Sequence, residues 1–203
     1  MIFKMSGTMR SWSKSERYKI FMFKHEKVLW ITRTAVLIAI TVVLQALTLQ
    51  LGNQIITGSI VNLMLILAVM TCGLATGLTV GAVTPVLPTL LGFGPLWPIV
   101  PFIALGNMAL VTVWHFIGNR KIGNNVYIAY IIALITAATA KFLVLFFGVA
   151  QLAVPVLLRL PEPQATVVSG LFSYPQIITA SIGGVCAIIL LPLLLKAVKQ
   201  RNT

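Results

Sequence analysis

The sequence predicts an all-α, polytopic membrane protein with six transmembrane helices and both termini cytoplasmic. Three observations predict it. Of 203 residues, 59% are hydrophobic and 9% charged, where a soluble domain carries about 25% charged residues. The apolar residues lie in long continuous runs, not in the alternating segments of about 10 residues that mark barrel strands. The basic residues are segregated along the chain. Lipid offers the backbone no hydrogen bonds, so only helices and closed barrels cross it, and the runs select helices.

A span needs about 17–25 residues. The first is predicted over 30–51. Between 60 and 91 stands too much apolar sequence for one span and barely enough for two. The "MTCG" at 70–73 interrupts it, which predicts two short helices joined by a tight turn. The remaining spans are predicted over 98–117, 126–149 and 176–196. Three connections, 52–59, 92–97 and 151–173, together hold one Arg and one Glu.

The other side carries Lys4, Arg10, Lys14, Arg17, Lys19, Lys24, Lys27 and Arg33 before or at the first span, Arg120 and Lys121 in one short loop, and Lys196, Lys199 and Arg201 at the end. Positive residues mark cytoplasmic loops, so the net charge of +12 reports orientation and not a nucleic-acid partner. Residues 1–29 then form a basic cytoplasmic segment, 30–197 the six-helix membrane domain and 198–203 a cytoplasmic tail. The stretch "YKIFMFKHEKVLW" at 18–30 mixes Tyr18, Phe21, Phe23 and Trp30 with lysines. It is either an interfacial helix or a basic tail that only sets topology. The length of this leader and the absence of a small-residue cleavage site argue against a removed signal peptide. Cys72 and Cys186 read as small packing residues.

Catalytic equipment is missing from the pattern. The acids are Glu16, Glu26 and Glu162, and no span holds a carboxylate. His25 and His115 stand far apart, and no metalloprotease, serine-hydrolase or phosphate-loop motif occurs. The chain is therefore expected not to be an enzyme, to hold no metal and no cofactor, and to leave any ATP hydrolysis to another polypeptide. A pump built on buried acids is excluded in the same way.

What remains is a set of uncharged polar groups and proline-rich backbone on the outer side. "TPVLPTLLGFGPLWPIVP" carries Pro85, Pro88, Pro95, Pro98 and Pro101. Each proline removes a backbone donor, and such backbone is tolerated at membrane depth where it is buried or lines a cavity. This region is a candidate pocket wall, with Trp97 either stacking on a ligand or sitting at the interface. Asn62, near Thr57 and Ser59, is a candidate ligand contact. Asn107, among small residues in "ALGNMAL", reads as a helix-joining amide, and Gln45 lies toward the outer end of the first span. Lys141, deep in "ITAATAKFLVLFF", costs a few kcal/mol at such depth. Its stem either snorkels to the outer interface or turns the ammonium to a pocket. Arg159 adds to the same positive field, and the two point to a carboxylate-bearing solute. Gly73, Gly77 and Gly81, four apart, and Gly183, Gly184 and Ala187 are expected to pack inside the bundle. Ala35 and Ala39 form one more such pair.

The region from about 33 to 196 resembles the substrate-binding S components of energy-coupling factor (ECF) vitamin transporters. The resemblance is carried by "RTAVLIAITVVLQ" after a basic N-terminus, by "TGSIVNLMLILAVMTCGLATGLTVGAVTP" and by "GPLWPIVPFIALGN". It implies a subunit that binds a vitamin or related micronutrient near the outer face of a prokaryotic plasma membrane. It also implies that loops after the first, third and fifth helices close over the ligand. It further implies that Ala35 and Ala39 dock a transmembrane coupling protein, whose two ATPase subunits use the ATP, and that the loaded subunit topples within the membrane. A non-transporting six-helix scaffold and a stand-alone carrier are the alternatives. A scaffold gives no reason for Asn62, Lys141 and broken helices at one end, and a carrier would show paired broken helices in repeats.

Overall fold

The computed structural model describes residues 14–122 and 125–201, with side chains described over 26–122 and 125–196. Residues 1–13, with Lys4 and Arg10, and 202–203 of the expected tail lie outside the described residues. So do the side chains of Tyr18, Phe21, Phe23 and His25, on which most of the interfacial reading of 18–30 rests.

The described chain is helical, apart from one isolated bridge between Ile122 and Asn125. Helix α1 (Lys14–Leu49) runs unbroken from the basic segment into the first apolar run, so its start lies well before position 30. Helix α2 (Gln54–Cys72) follows after a short connection, because Asn53 caps it: the Asn53 side chain accepts from the Ile55 N–H at 2.9 Å. The first outer connection is thus shorter than 52–59. Helix α3 (Leu74–Leu90) begins directly after Gly73, whose φ of +89° turns the chain where L side chains rarely go. Gly73 therefore makes the expected tight turn and is not part of a packing ridge.

A 3₁₀ turn (Trp97–Ile99) leads into α4 (Val100–Val113), which continues as a π-helical turn to Gly118. Helix α5 (Val126–Leu145), capped by Asn125, carries on in π winding through Phe146–Leu158. It ends at Arg159, whose positive φ of 46° lets its N–H reach back to the Val154 carbonyl at 3.1 Å. The expected loop 151–173 therefore holds the end of one helix and all of another, α6 (Glu162–Leu171). Helix α7 (Tyr174–Arg201) completes the chain. Among the described residues, five helical stretches are long and apolar enough to cross a membrane, and the 17-residue Leu74–Leu90 is a shorter apolar one.

Helix faces sort by size and polarity. On α5, Ile128, Ile131 and Ile135 are exposed while Ala129, Ala133 and Ala137 are buried. On α7, Ile178, Ile182, Val185 and Ile189 are exposed, and Ala180, Ala187 and Leu191 are buried. Large aliphatics thus face outward, as a helix solvated by lipid tails allows. Helix α1 buries Thr34, Thr41 and Thr48, spaced by seven. Thr41 and Thr48 donate back to the carbonyls of Leu37 and Leu44, and Thr34 meets Thr76 of α3 at 3.3 Å.

The core has two parts. One, around Trp114, Leu65, Ile66, Val80 and Leu110, fills the half nearer the Gly73 turn. The other gathers Ile99, Leu145, Val149, Val154 and Phe172 under the connections at the opposite end. The most extensive helix contact joins α2 to α7. There a Cβ added at Gly183 would lie 2.6 Å from the Ser59 carbonyl oxygen and 2.9 Å from the Leu63 nitrogen, both backbone atoms that cannot step aside. Gly183→Val is expected to lower stability by about 1–3 kcal/mol through overpacking, read as an earlier thermal unfolding midpoint in detergent. Gly170→Ala, which meets open space, should leave the midpoint unchanged.

Candidate functional site

All seven helices contribute to one cavity of about 360 Å³. It lies at the end of the bundle where α1, α3 and the π-helical extension of α5 finish and α2, α4 and α7 begin. Its walls are Gln45 and Leu49 of α1, Thr57, Gly58 and Val61 of α2, Thr84, Pro85 and Pro88 of α3, Ile103 and Asn107 of α4, Lys141 of α5, Val168 and Leu171 of α6, and Gln176 of α7. The segment 93–96 closes one side. It is folded onto α3 by Thr89, whose hydroxyl lies 2.9 Å from the Pro85 carbonyl and 3.2 Å from that of Pro95, and by the Phe93 N–H bonded to the Pro88 carbonyl.

The prolines build this wall without ending α3. Pro85 has no N–H, so the carbonyl four residues before it, Gly81, loses its regular intrahelical donor. Asn107 Nδ2 of α4 supplies one instead, at 3.2 Å. The close approach of α3 and α4 is what lets it: a Cβ at Gly81 would stand 3.3 Å from Asn107 Cβ. Bound in this way, Asn107 turns its Oδ1 to Lys141.

Lys141 is 4% exposed and does not snorkel. Its Nζ donates to Asn62 Oδ1 at 2.6 Å and to Asn107 Oδ1 at 2.8 Å. Asn62, wholly buried, in turn donates through Nδ2 to Thr179 Oγ1 of α7 at 3.3 Å, and Thr179 donates to the Gln176 carbonyl. An ammonium has three donors, and two are used. Of the residues lining the cavity only Lys141 is charged, and neither Glu26 nor Glu162 reaches it. Two residues of the cavity wall carry a buried polar atom that has no hydrogen-bond partner among the described residues, Thr84 Oγ1 and Gln45 Oε1. Buried polar atoms are nearly always paired, so two unpaired ones on the wall of one hollow make it the candidate site.

The residues singled out by sequence separate into four groups. Lys141 reaches the cavity. Asn62 lies behind it as a holder of the ammonium, while Asn107, read as a helix-joining amide, does that and also lines the cavity. Trp97, 54% exposed, and Arg159, also exposed, lie at this end of the bundle outside the cavity lining. Ala35 and Ala39 are exposed on α1. Thr84, Gln176 and the wall supplied by α6 were not anticipated. The signal for α6 was present in "PEPQATVVSGLF", with prolines at a helix start and apolar residues at 165, 168, 171 and 172.

The network makes a quantitative expectation. Asn107→Leu leaves both the ammonium and the Gly81 carbonyl short of a partner, and should cost about 2–3 kcal/mol in equilibrium unfolding. In a Lys141→Met background, where only the carbonyl is orphaned, the same change should cost about 1 kcal/mol, a coupling that a double-mutant cycle measures.

A family model described as ECF transporter, substrate-specific component, matches residues 30–195. No curated protein and no solved structure matches the chain.

Proposed function

The chain belongs to the substrate-specific components of ECF transporters, and we propose that it captures a vitamin or related micronutrient in the cavity described above and delivers it to a partner motor. On this reading the six helices α1–α5 and α7 cross the plasma membrane of a prokaryote with both termini cytoplasmic. The cavity then opens at the outer face, α6 and the segment 91–96 cover it, and Gly73 and the Arg120–Lys121 connection lie inside. The basic residues support this orientation: Lys27, Arg33, Arg120, Lys121 and Lys196 belong to the end away from the cavity.

The observation that carries the proposal is the cavity itself, with a buried ammonium and two unpartnered polar groups at its wall. A scaffold has no use for such a hollow. The sequence carries no nucleotide-binding motif, and on this reading ATP is used by two ATPase subunits acting through a transmembrane coupling protein. Docking takes place on α1. Ala35 and Ala39 stand exposed one turn apart, and small residues at that spacing let a foreign helix approach to backbone contact.

The reading is tested in vesicles. The purified chain alone should bind a radiolabelled vitamin without accumulating it, and co-reconstitution with the coupling protein, the ATPases and ATP should produce uptake. Ala35→Trp and Ala39→Trp should reduce uptake to the level seen without ATPases and leave binding intact. Normal uptake by both variants would remove α1 as the docking face.

A further inference from the structure

The cavity's polar groups differ in kind, and the difference specifies a ligand. Lys141 supplies a single positive charge to the wall, with no acidic residue there to balance it. Its two partners are neutral amides, which position the ammonium and leave its charge and one N–H unspent. Thr84 supplies a second donor. Two buried threonines of α1, Thr41 and Thr48, satisfy their hydroxyls on carbonyls four residues back at 2.7 Å, and the third, Thr34, meets Thr76. Thr84 is equally buried, at 0% exposure, and makes no such bond. At Gln45 the unpartnered atom is an acceptor, Oε1. The rest of the wall is largely apolar, with Pro85, Pro88, Phe93, Ile99, Ile103 and Phe172 prominent in it.

Resting on the reading of this cavity as a solute site, we propose that the cargo is a monocarboxylate: its carboxylate lies against the Lys141 ammonium and the Thr84 hydroxyl, and a hydroxyl or N–H elsewhere on it meets the Gln45 carbonyl. Two donors and one positive charge match the two oxygens and one negative charge of a carboxylate. A phosphate monoester carries about −1.5 to −2 charges and three acceptor oxygens, more than this wall balances. A cation would meet the ammonium with like charge in a low-dielectric site. A neutral polar molecule would leave the ammonium's charge uncompensated. The body of the cargo, packed on prolines and aromatic rings, is uncharged, and a volume of about 360 Å³ places it at the small end of ligand sites.

The test titrates the full chain in detergent, by calorimetry, with pantothenate, biotin and nicotinate beside their neutral counterparts panthenol, biotin amide and nicotinamide. Riboflavin, thiamine and pyridoxal phosphate complete the set as neutral, cationic and phosphorylated probes. Native mass spectrometry of the chain extracted from its own membranes reads any molecule already bound. One carboxylate should bind at least about 30-fold more tightly than its neutral counterpart, the size of a hydrogen-bonded charge pair. Asn62→Asp puts a carboxylate on the far side of the ammonium, outside the cavity lining. It should weaken that carboxylate by a similar factor while raising the unfolding midpoint. Thr84→Val, which does not touch the Lys141 network, should weaken it about 10-fold and decides the matter if Asn62→Asp does not fold.

Tighter binding of a neutral, cationic or phosphorylated probe, or unchanged carboxylate affinity in a folded Asn62→Asp and in Thr84→Val, overturns the monocarboxylate and leaves the solute-binding reading standing. If no probe binds, the molecule seen by mass spectrometry decides: a carboxylic acid supports the proposal and any other class overturns it. No bound probe and no bound molecule would overturn the solute-binding reading, and this proposal with it.

Discussion

The Lys141 ammonium rests on two amide oxygens, Asn62 Oδ1 and Asn107 Oδ1, and five helices meet at that arrangement. Asn62 brings in α2 and, through Thr179, α7. Asn107 brings in α4 and, through the Gly81 carbonyl, α3. Lys141 itself belongs to α5. A lysine at the centre of a membrane helix costs about 2.5–3.5 kcal/mol on insertion scales, while a hydrogen bond to a charged group returns about 1.5–3 kcal/mol. Two such bonds are enough to hold the side chain inside. They do so without a carboxylate, which would also neutralise it. The amides fix where the charge stands and leave it available, which is the property a receptor for an anion needs.

That arrangement depends on backbone chemistry one helix away. Pro85 strips the Gly81 carbonyl of its regular donor, and the missing side chain at Gly81 brings α4 close enough for Asn107 to replace it. Proline and glycine four residues apart thus act together: one creates an acceptor and the other admits the donor. The two ends of the bundle divide along the same line. Toward the Gly73 turn, Gly77 meets Val111 and Val69, and Trp114 is packed among aliphatic side chains and the Tyr130 ring. Toward the connections, α3 carries prolines, the chain from Leu91 to Leu96 folds back on it, and the helices stand apart around a hollow.

Much of this was legible in the sequence, and the parts that were not share a cause. The helical class, the break at Gly73 and the depth of Lys141 follow from run lengths, a glycine and a charge, signals that lipid strengthens. Which face of a helix points inward does not follow as readily. In water an apolar stripe marks the core, but in lipid both faces are apolar and the stripe fades. Asn62 and Asn107 are equally polar and equally buried, so their order relative to the cavity was decided by a partner, the Gly81 carbonyl, that only the fold supplies. Trp97 beside Pro98 drew attention by residue type, yet its 3₁₀ turn aims it outward while Leu96 and Ile99 line the cavity. Helix α6 hides in the sequence because its segment has the charge content of a loop, and its apolar spacing runs over only 10 residues.

Helix α1 joins the two halves of the proposed function. It packs on α2 and α3, and most of its residues between 26 and 49 are exposed, so much of its surface is free for lipid or another protein. Its inward seam of threonines is satisfied largely within the helix itself, which ties α1 to the bundle by shape more than by polar bonds. Near its C-terminal end the same helix presents Gln45 and Leu49 to the cavity, and about 1.7 and 2.8 turns before Gln45 it presents Ala39 and Ala35 outward. Under the proposed function, a ligand that pulls on the Gln45 amide acts on the element that carries the proposed docking pair. On the proposed reading, occupancy of the cavity and presentation of the docking face are therefore mechanically joined through one helix, with no intervening loop to absorb the movement.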